Sequence, residues 1–262
     1  MTTRIQLLFL LALMSVVPAL CQEATGLVVY DFKLAGKLKE GELLFTSKAQ
    51  KFIFDKLEGK KGSKKKVDVE NLTFDLTKRD KFGSVVYSNW DADIYKKRQI
   101  GNTIYIIEDS VLNHNWKITS ENKEILGFNC QKATLTFRGR KYEAWFAPDI
   151  PVAAGPWKFH GLPGLILEVV DNARQVVFYS REVIFPYNIN AKEIEEFDYK
   201  GEAIGWLDYE IMNLEKSKKL AGFLASKAYA DDEDNSDVRI EVEIPRAEIL
   251  PEKILEEYSK DN

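Results

Sequence analysis

The chain has 262 residues, and its 37 Lys and Arg against 41 Asp and Glu give a formal net charge of −4 at pH 7. Because nucleic-acid binding needs a basic face, this mildly acidic balance argues against a nucleic-acid partner. Two cysteines and two histidines leave few ligands for zinc, and no phosphate-binding Gly loop occurs. The sequence therefore predicts neither a metal nor a cofactor.

The N-terminus has the order of a secretory signal peptide. Arg4 precedes an apolar run over residues 5–13, and Ala19-Leu20-Cys21 supplies a cleavage pattern. The run is shorter than the roughly 20 apolar residues that span a bilayer. We predict cleavage after Cys21, which makes residues 1–21 the signal peptide. The alternative is lipidation of Cys21, although Leu20 stands where that pathway needs a small residue.

Residues 22–262 are predicted to form a single β-rich domain without a transmembrane segment. The domain is expected to work outside the cytoplasm, in the periplasm, associated with the outer membrane, or secreted. Once Cys21 is removed, Cys130 is the single thiol, so no internal disulfide forms. Its position at the entry to a strand predicts a small buried apolar side chain.

Strand signals fill the chain from residue 26 to residue 181. Short runs rich in β-branched and aromatic residues alternate with Gly, Asn, Asp and Pro turns. They cover residues 26–34, 42–46, 51–54, 85–90, 103–108, 115–119, 133–138, 141–146, 165–170 and 175–181. Residues 138–140 and 171–173 are predicted hairpin tips. Ala133, Leu135 and Phe137 are predicted to share one face. The Gly- and Lys-rich residues 59–66 predict a solvated loop. The alternative is a site for lipid headgroups.

After Pro186 the pattern changes to helical spacing. Apolar residues recur every three or four positions over about residues 206–228, which predicts an amphipathic helix. An acidic run follows at 231–237, then a strand at 238–244 and a short helix at 251–258. Asp232, Asp234, Ser236 and Glu243 have calcium-loop spacing, but Asp237 stands where that loop needs Gly, so a solvated loop is favoured. The predicted fold class is α+β, mostly antiparallel β, with a curved half-barrel-like sheet and a C-terminal amphipathic helix packed on it.

The segment 145–168 is the densest in turn formers. It holds four prolines and three glycines beside several aromatic rings. Pro163-Gly164 suits the centre of a type II turn, with a positive φ at Gly164. The rings either plug one end of the core or form the lip of a pocket, and the sequence leaves both interpretations open. The candidate ligand or partner contacts are Trp145, Phe146, Pro156, Trp157, Phe159, His160, Leu162 and Pro163.

Few residues have a context that predicts catalysis. His160 reads as a structural histidine beside a turn, and His114 as a solvated loop residue. An enzyme would require Arg138, Arg140, Asp149 or His160 to converge in one cleft. The sequence identifies no catalytic residue.

Gly161-Leu162-Pro163-Gly164-Leu165-Ile166 resembles the motif of the GLPGLI family, known from the Bacteroidetes. Flanking blocks are similar to the family's in the same order, among them Trp116-Lys117-Ile118, Cys130-Gln131-Lys132-Ala133-Thr134 and Gly155-Pro156-Trp157-Lys158. The resemblance is close over about residues 100–170. It implies an exported protein encoded near outer-membrane transport genes, and it carries no catalytic residue to this chain.

Three functional hypotheses follow. The first is a non-enzymatic cell-envelope or secreted protein that binds an apolar or peptide-like ligand beneath residues 155–164. The second is an accessory partner of an outer-membrane transporter, for which exposed rings at Trp157 and Phe159 would serve as anchors. The third is an uncharacterised enzyme.

Overall fold

The computed structural model describes residues 25–34, 38–54, 66–67, 74–75, 83–90, 94–100, 103–109, 114–215, 219 and 222. Several predicted segments lie outside these residues. They are the signal peptide, residues 59–65 of the Lys-rich loop, residues 216–228 of the predicted amphipathic helix apart from 219 and 222, the acidic run 231–237, the strand at 238–244 and the helix at 251–258.

Twelve strands of the described chain form one curved sheet that does not close. Their order is β14-β8-β7-β6-β3-β2-β1-β13-β12-β11-β10-β9, and every pairing is antiparallel except that of β14 with β8. The strands are β1 (Gly26–Leu34), β2 (Lys39–Phe45), β3 (Ala49–Phe54), β6 (Ser84–Asn89), β7 (Ile94–Ile100), β8 (Thr103–Asp109), β9 (Lys117–Ile125), β10 (Phe128–Phe137), β11 (Arg140–Ala147), β12 (Leu165–Asp171), β13 (Val176–Ile184) and β14 (Glu202–Gly205). A separate two-stranded ribbon pairs β4 (Lys66–Val67) with β5 (Phe74–Asp75).

Alternation along the strands places one face of the sheet on the core. On β1 every second residue from Gly26 to Phe32 is buried, as the period of a half-buried strand requires. Phe32 stacks on Phe178 of β13 with ring centroids 5.5 Å apart, and it meets Phe52 of β3 edge-on at 5.4 Å. Such pairs stabilise the core beyond the burial of their area.

Two-residue turns connect β9, β10 and β11. Arg138 and Gly139 both have positive φ, at 47° and 72°, which is the geometry of a type I′ hairpin. The hairpin tip predicted at 138–140 is confirmed, and Ala133, Leu135 and Phe137 are buried together as predicted. Leu126 and Gly127 form a second tip of this kind, with φ of 52° and 82°.

The predicted fold class is confirmed, with corrections to individual elements. The strand predicted at 115–119 is the longer β9, and the sequence pattern missed β7 and β14. A short helix spans Ala191–Glu195, where the Asn190 side chain accepts from the Lys192 amide. Residues 206–215 are helical and bury Tyr209 and Leu214. Among the described residues, no helix is long and apolar enough to cross a membrane.

Candidate functional site

The turn-rich loop between β11 and β12 folds back over the core face of the sheet. The Gly161 amide donates to the Ala153 carbonyl at 2.8 Å, and the Gly155 amide donates to Gln50 Oε1 on β3 at 2.9 Å. Trp157 and Gly161 have positive φ, at 54° and 90°, whereas Gly164 does not. The predicted positive φ at Gly164 is therefore wrong. Glycine is needed there because a Cβ would lie 2.4 Å from the Ala147 carbonyl oxygen.

The aromatic rings of the loop point into the protein's own core. Trp157 is 2% exposed and Phe159 is fully buried, and Leu162 and Pro156 are buried beside them. Phe159 meets Tyr142 edge-on at 4.9 Å, and Trp157 stacks on Phe178 at 6.4 Å. Of the two interpretations of this loop, the geometry is that of a core plug. The exposed rings that would anchor a transporter partner are therefore missing at Trp157 and Phe159.

The remaining predicted contact residues lie in three places: on the core face of the sheet, on its opposite face, and at the rim of the turn-rich loop. Phe146 is buried in the core, while its neighbour Trp145 lies on the opposite face with Lys123 Nζ 4.6 Å from its ring centroid. Pro163 is exposed and His160 is half-buried. The structure therefore does not bring all eight predicted residues together in one pocket.

His160 and His114 form a stacked pair, with ring centroids 4.9 Å apart. His114 Nε2 lies 2.9 Å from the Lys158 carbonyl oxygen, and Trp116 Nε1 donates to the His160 carbonyl at 2.9 Å. Burial lowers the pKa of His114, and burial together with the neighbouring His114 lowers the pKa of His160 to about 4. Both rings are therefore neutral at pH 7. The prediction that His114 is solvated is wrong, because the loop packs its ring against Phe137 and Phe159.

A buried charge cluster lies beside this histidine pair. Asp109, the last residue of β8, contacts Lys158 Nζ and Arg138 Nη2 at 2.6 Å each. The Arg138 guanidinium also lies 3.2 Å from the centroid of the Trp206 ring. Sequence reasoning missed this cluster. Two features of the sequence could have identified it. Lys158 stands between two aromatic residues, and Asp109 lies on the same face of its strand as the buried Ile107, so both are charged residues in places where apolar residues are expected.

The four residues proposed for an enzyme do not all converge in one cleft, although the cluster that contains Arg138 lies beside the ring pair of His160. Arg138 pairs with Asp109, whereas Arg140 pairs with Asp171 at 2.7 Å. Asp149 is exposed beyond the far end of β11, so an eight-residue strand of roughly 26 Å separates it from the β10–β11 tip. Cys130 is also unsuited to nucleophilic chemistry, because burial raises the pKa of its thiol to about 11. Its buried position confirms the prediction of a structural thiol.

The face of the sheet opposite the core carries a groove of about 660 Å³ across β9, β10, β11 and β12. The register places Lys117, Thr134, Glu143 and Val170 side by side in one row. Thr136 and Lys141 form the next row, and the β12–β13 turn closes one end. The groove is lined by Asn115, Lys117, Thr134, Leu135, Thr136, Lys141, Tyr142, Glu143, Val170, Asp171, Asn172 and Arg174. We call it the outer groove.

The described residues contain no group of three or more His, Cys, Asp and Glu side chains that could hold a metal ion. The spacing considered for calcium over residues 232–243 lies outside them.

Comparison with solved structures shows a similar fold in part of a larger protein. A structure described as "Structure of PNGF-II in P21 space group" is 20% identical, with a TM-score of 0.51 over 72% of this chain and 33% of that chain. A second, of PNGF-II in the C2 space group, is 21% identical with a TM-score of 0.48, and covers 72% and 32%. At 20% identity, the likeness to the first structure is one of fold. This chain spans about a third of the length of those structures.

Comparison with curated proteins gives no match. The family model described as "Protein of unknown function (Porph_ging)" matches residues 138–168. This stretch runs from the β10–β11 tip through the turn-rich loop into β12 and contains the Gly161–Ile166 motif. The resemblance to the GLPGLI family, inferred from the sequence, is thereby confirmed over the segment that builds both the core plug and part of the outer groove.

Proposed function

We propose that this chain is a non-enzymatic binding protein of the cell envelope or the secreted fraction, and that it holds a peptide-like ligand in the outer groove. The observation that carries the proposal is the groove itself. Its volume of about 660 Å³ falls within the range of ligand sites, and it crosses four paired strands of a rigid sheet. A rigid scaffold keeps the lining groups in place before the ligand arrives, which lowers the entropic cost of binding.

The lining favours a peptide-like ligand over an apolar one. Thr134, Thr136, Asn115 and Asn172 provide hydroxyl and amide groups that pair with the N–H and C=O groups of a peptide. The apolar face of the sheet offers less, because Trp157 and Phe159 of the chain itself occupy the space beneath the turn-rich loop. An apolar ligand would have to displace them.

The ionisable side chains near the loop support a role without catalysis. Both carboxylate oxygens of Asp109 are held by cations, and the paired histidines are neutral at pH 7. An acid–base catalyst needs a pKa near the working pH and a free path to the substrate. The accessory-partner hypothesis lacks support from the loop, whose aromatic anchors are buried.

Export belongs to the proposal and rests on the order of charge, apolar run and small residues over residues 1–21. The intact mass of protein recovered from the envelope and the medium tests it. An intact mass equal to that of residues 22–262 supports the proposal. Full-length protein in the cytoplasm would contradict it.

Blocking the outer groove tests the binding function. Thr136 is exposed on β10 and lines the groove, so Thr136→Trp places a large ring inside it. Ser120 is exposed on β9 outside the lining, so Ser120→Trp adds the same ring elsewhere. We expect wild type and Ser120→Trp, immobilised and panned with a random peptide library, to enrich peptides that Thr136→Trp does not retain. Equal enrichment by all three proteins, or enrichment by none, would refute the proposed function.

A further inference from the structure

We infer that the outer groove selects acidic peptides, whose carboxylates pair with Lys117, Lys141 and Arg174. The inference rests on the proposed function and names the class of ligand that the groove takes. Three observations lead to it: cations in the groove without an ion-pair partner, carboxylates that pair with cations outside the lining, and a row of cross-strand neighbours of the right length.

The three cations of the outer groove are exposed and have no ion-pair partner among the described residues. Their neighbours on the same strands behave differently. Lys123 pairs with Glu168, Lys132 pairs with Glu121 at 3.2 Å, and Arg140 pairs with Asp171 at 2.7 Å. On β9 to β12 and in the turn after β12, the cations without an ion-pair partner are therefore the ones that line the groove.

The two carboxylates of the groove are held away from these cations. Glu143 Oε2 lies 3.3 Å from Lys132 Nζ, a cation outside the lining that Glu143 shares with Glu121. Asp171 is buried, accepts from Arg140 at 2.7 Å, and also accepts from the Val176 amide at 2.8 Å. The lining thus holds three cations against two carboxylates, both of which contact cations outside it, although the whole chain carries −4. A local field of positive sign attracts an anionic ligand and raises its association rate.

The spacing of the cations matches an extended peptide. Lys117 lies on β9, Lys141 on β11, and Arg174 in the turn after β12. Three strand spacings of about 4.8 Å separate β9 from β12, which is roughly 14 Å and the length of about four extended residues. Lys117 and Lys141 are two strands and one row apart, roughly 12 Å between their Cα atoms. Carboxylates about four residues apart on such a segment would reach both cations while its backbone meets Thr134 and Thr136.

Other polyanions fit this lining less well. The groove's one aromatic lining residue is Tyr142, which is 1% exposed and faces the core. A nucleobase therefore has no ring on which to stack. An acidic oligosaccharide shares the carboxylate chemistry but lacks the regular amide groups that the threonines and asparagines would meet. It is retained as a competing ligand in the experiment.

Fluorescence anisotropy with labelled hexapeptides tests the inference. The probes alternate glycine with glutamate, serine or lysine, and an oligogalacturonate of matching charge is added as a competitor. The proteins are wild type, the triple variant Lys117→Gln/Lys141→Gln/Arg174→Gln, and the matched control Lys39→Gln/Lys48→Gln/Lys200→Gln. The control removes three exposed charges outside the groove. Circular dichroism confirms that each variant is folded.

We expect wild type and the control to bind the glutamate peptide at least about tenfold more tightly than the serine peptide. The groove triple variant should lose that preference, and the preference should weaken between 50 and 300 mM salt as charge screening predicts. Equal affinity for glutamate and serine peptides, both abolished by Thr136→Trp, would overturn the charge selectivity but leave the binding function standing. Binding of no peptide would overturn both. Equal losses in the control variant, or a tighter groove-dependent oligogalacturonate complex, would overturn the acidic-peptide assignment.

Discussion

Lys158 and Asp109 form a buried ion pair in which 2.6 Å separates Nζ from Oδ2, and it joins the turn-rich loop to the end of β8. Asp109 also accepts from Arg138 at the tip of the β10–β11 hairpin. One carboxylate therefore links three segments that are distant in sequence. It ties the loop of the core plug to a strand near the opposite edge of the open sheet.

Removing Asp109 should destabilise the fold. Asp109→Leu leaves two cations facing each other in a buried site, and breaking a buried pair in this way costs about 3–5 kcal/mol. Adding Lys158→Met should restore part of the loss, because the double variant no longer buries that unpaired ammonium group. Urea unfolding of the two single variants and the double variant measures the coupling. Additive losses would show that the two side chains do not interact.

Trp157→Ala should lower the free energy of unfolding by about 3–5 kcal/mol, because it empties a large volume in the core. Trp145→Ala is the matched control. Its ring is half-buried on the opposite face under Lys123, so truncating it removes less buried area than truncating the Trp157 ring. Thermal unfolding should therefore separate the two variants clearly. A small loss at Trp157 with intact fold would favour a pocket lip over a core plug.

Gly164→Ala should be much more disruptive than Gly127→Ala. A Cβ at Gly164 would lie 2.4 Å from the Ala147 carbonyl oxygen, so the backbone of the loop or of β11 must move. At Gly127 a Cβ meets nothing within 4 Å, and only the positive φ of 82° disfavours alanine, by about 1–2 kcal/mol. Soluble yield and urea midpoints compare them. Equal losses of stability in the two variants would mean that the close approach of the Ala147 carbonyl is not what requires glycine at position 164.

Acid should weaken the fold through the histidine pair. An unfolded histidine takes up its proton near pH 6.5, whereas burial lowers the pKa of His160 to about 4 in the folded chain. The unfolded state therefore binds more protons between these values. The stabilisation is complete above about pH 6.5 and is lost as the pH falls toward 4, by at most about 1.4 kcal/mol per pH unit.

His160→Gln removes this titration while keeping a neutral polar side chain. Between pH 7 and pH 5.5, wild type should lose about 1 kcal/mol more than the variant. Urea unfolding at both pH values gives the difference. Parallel losses in the two proteins would assign the acid sensitivity to other groups.

Much of the fold was predictable from local pattern. Runs rich in β-branched and apolar residues located β1 and β12 to within a residue, and the Arg138-Gly139-Arg140 stretch between two such runs marked a hairpin tip, where the structure has positive φ at Arg138 and Gly139. The pattern missed β7, whose residues 96–98 are a run of charges, and β14, a short strand paired in parallel with a distant partner. Parallel pairing depends on long-range contacts that local spacing does not encode.

The site was less predictable than the fold. Sequence alone placed rings and turns together at 145–168, but whether Trp157 faces the core or a ligand depends on which way the loop folds over the sheet. The outer groove depends on register, since Lys117, Thr134 and Glu143 become neighbours only when β9, β10 and β11 align. Asp109 and Lys158 are 49 residues apart, and the local sequence around either residue does not predict contact with the other.

The decisive observation is where on the protein the acidic peptide binds. Amide chemical-shift mapping of isotopically labelled protein, titrated with the glutamate hexapeptide, reports where contact occurs. We expect the largest shifts on the outer groove, at Lys117, Thr134, Thr136, Lys141 and Asn172. Shifts centred on residues 160–163 at the rim of the loop, or no shifts at saturating peptide, would contradict it.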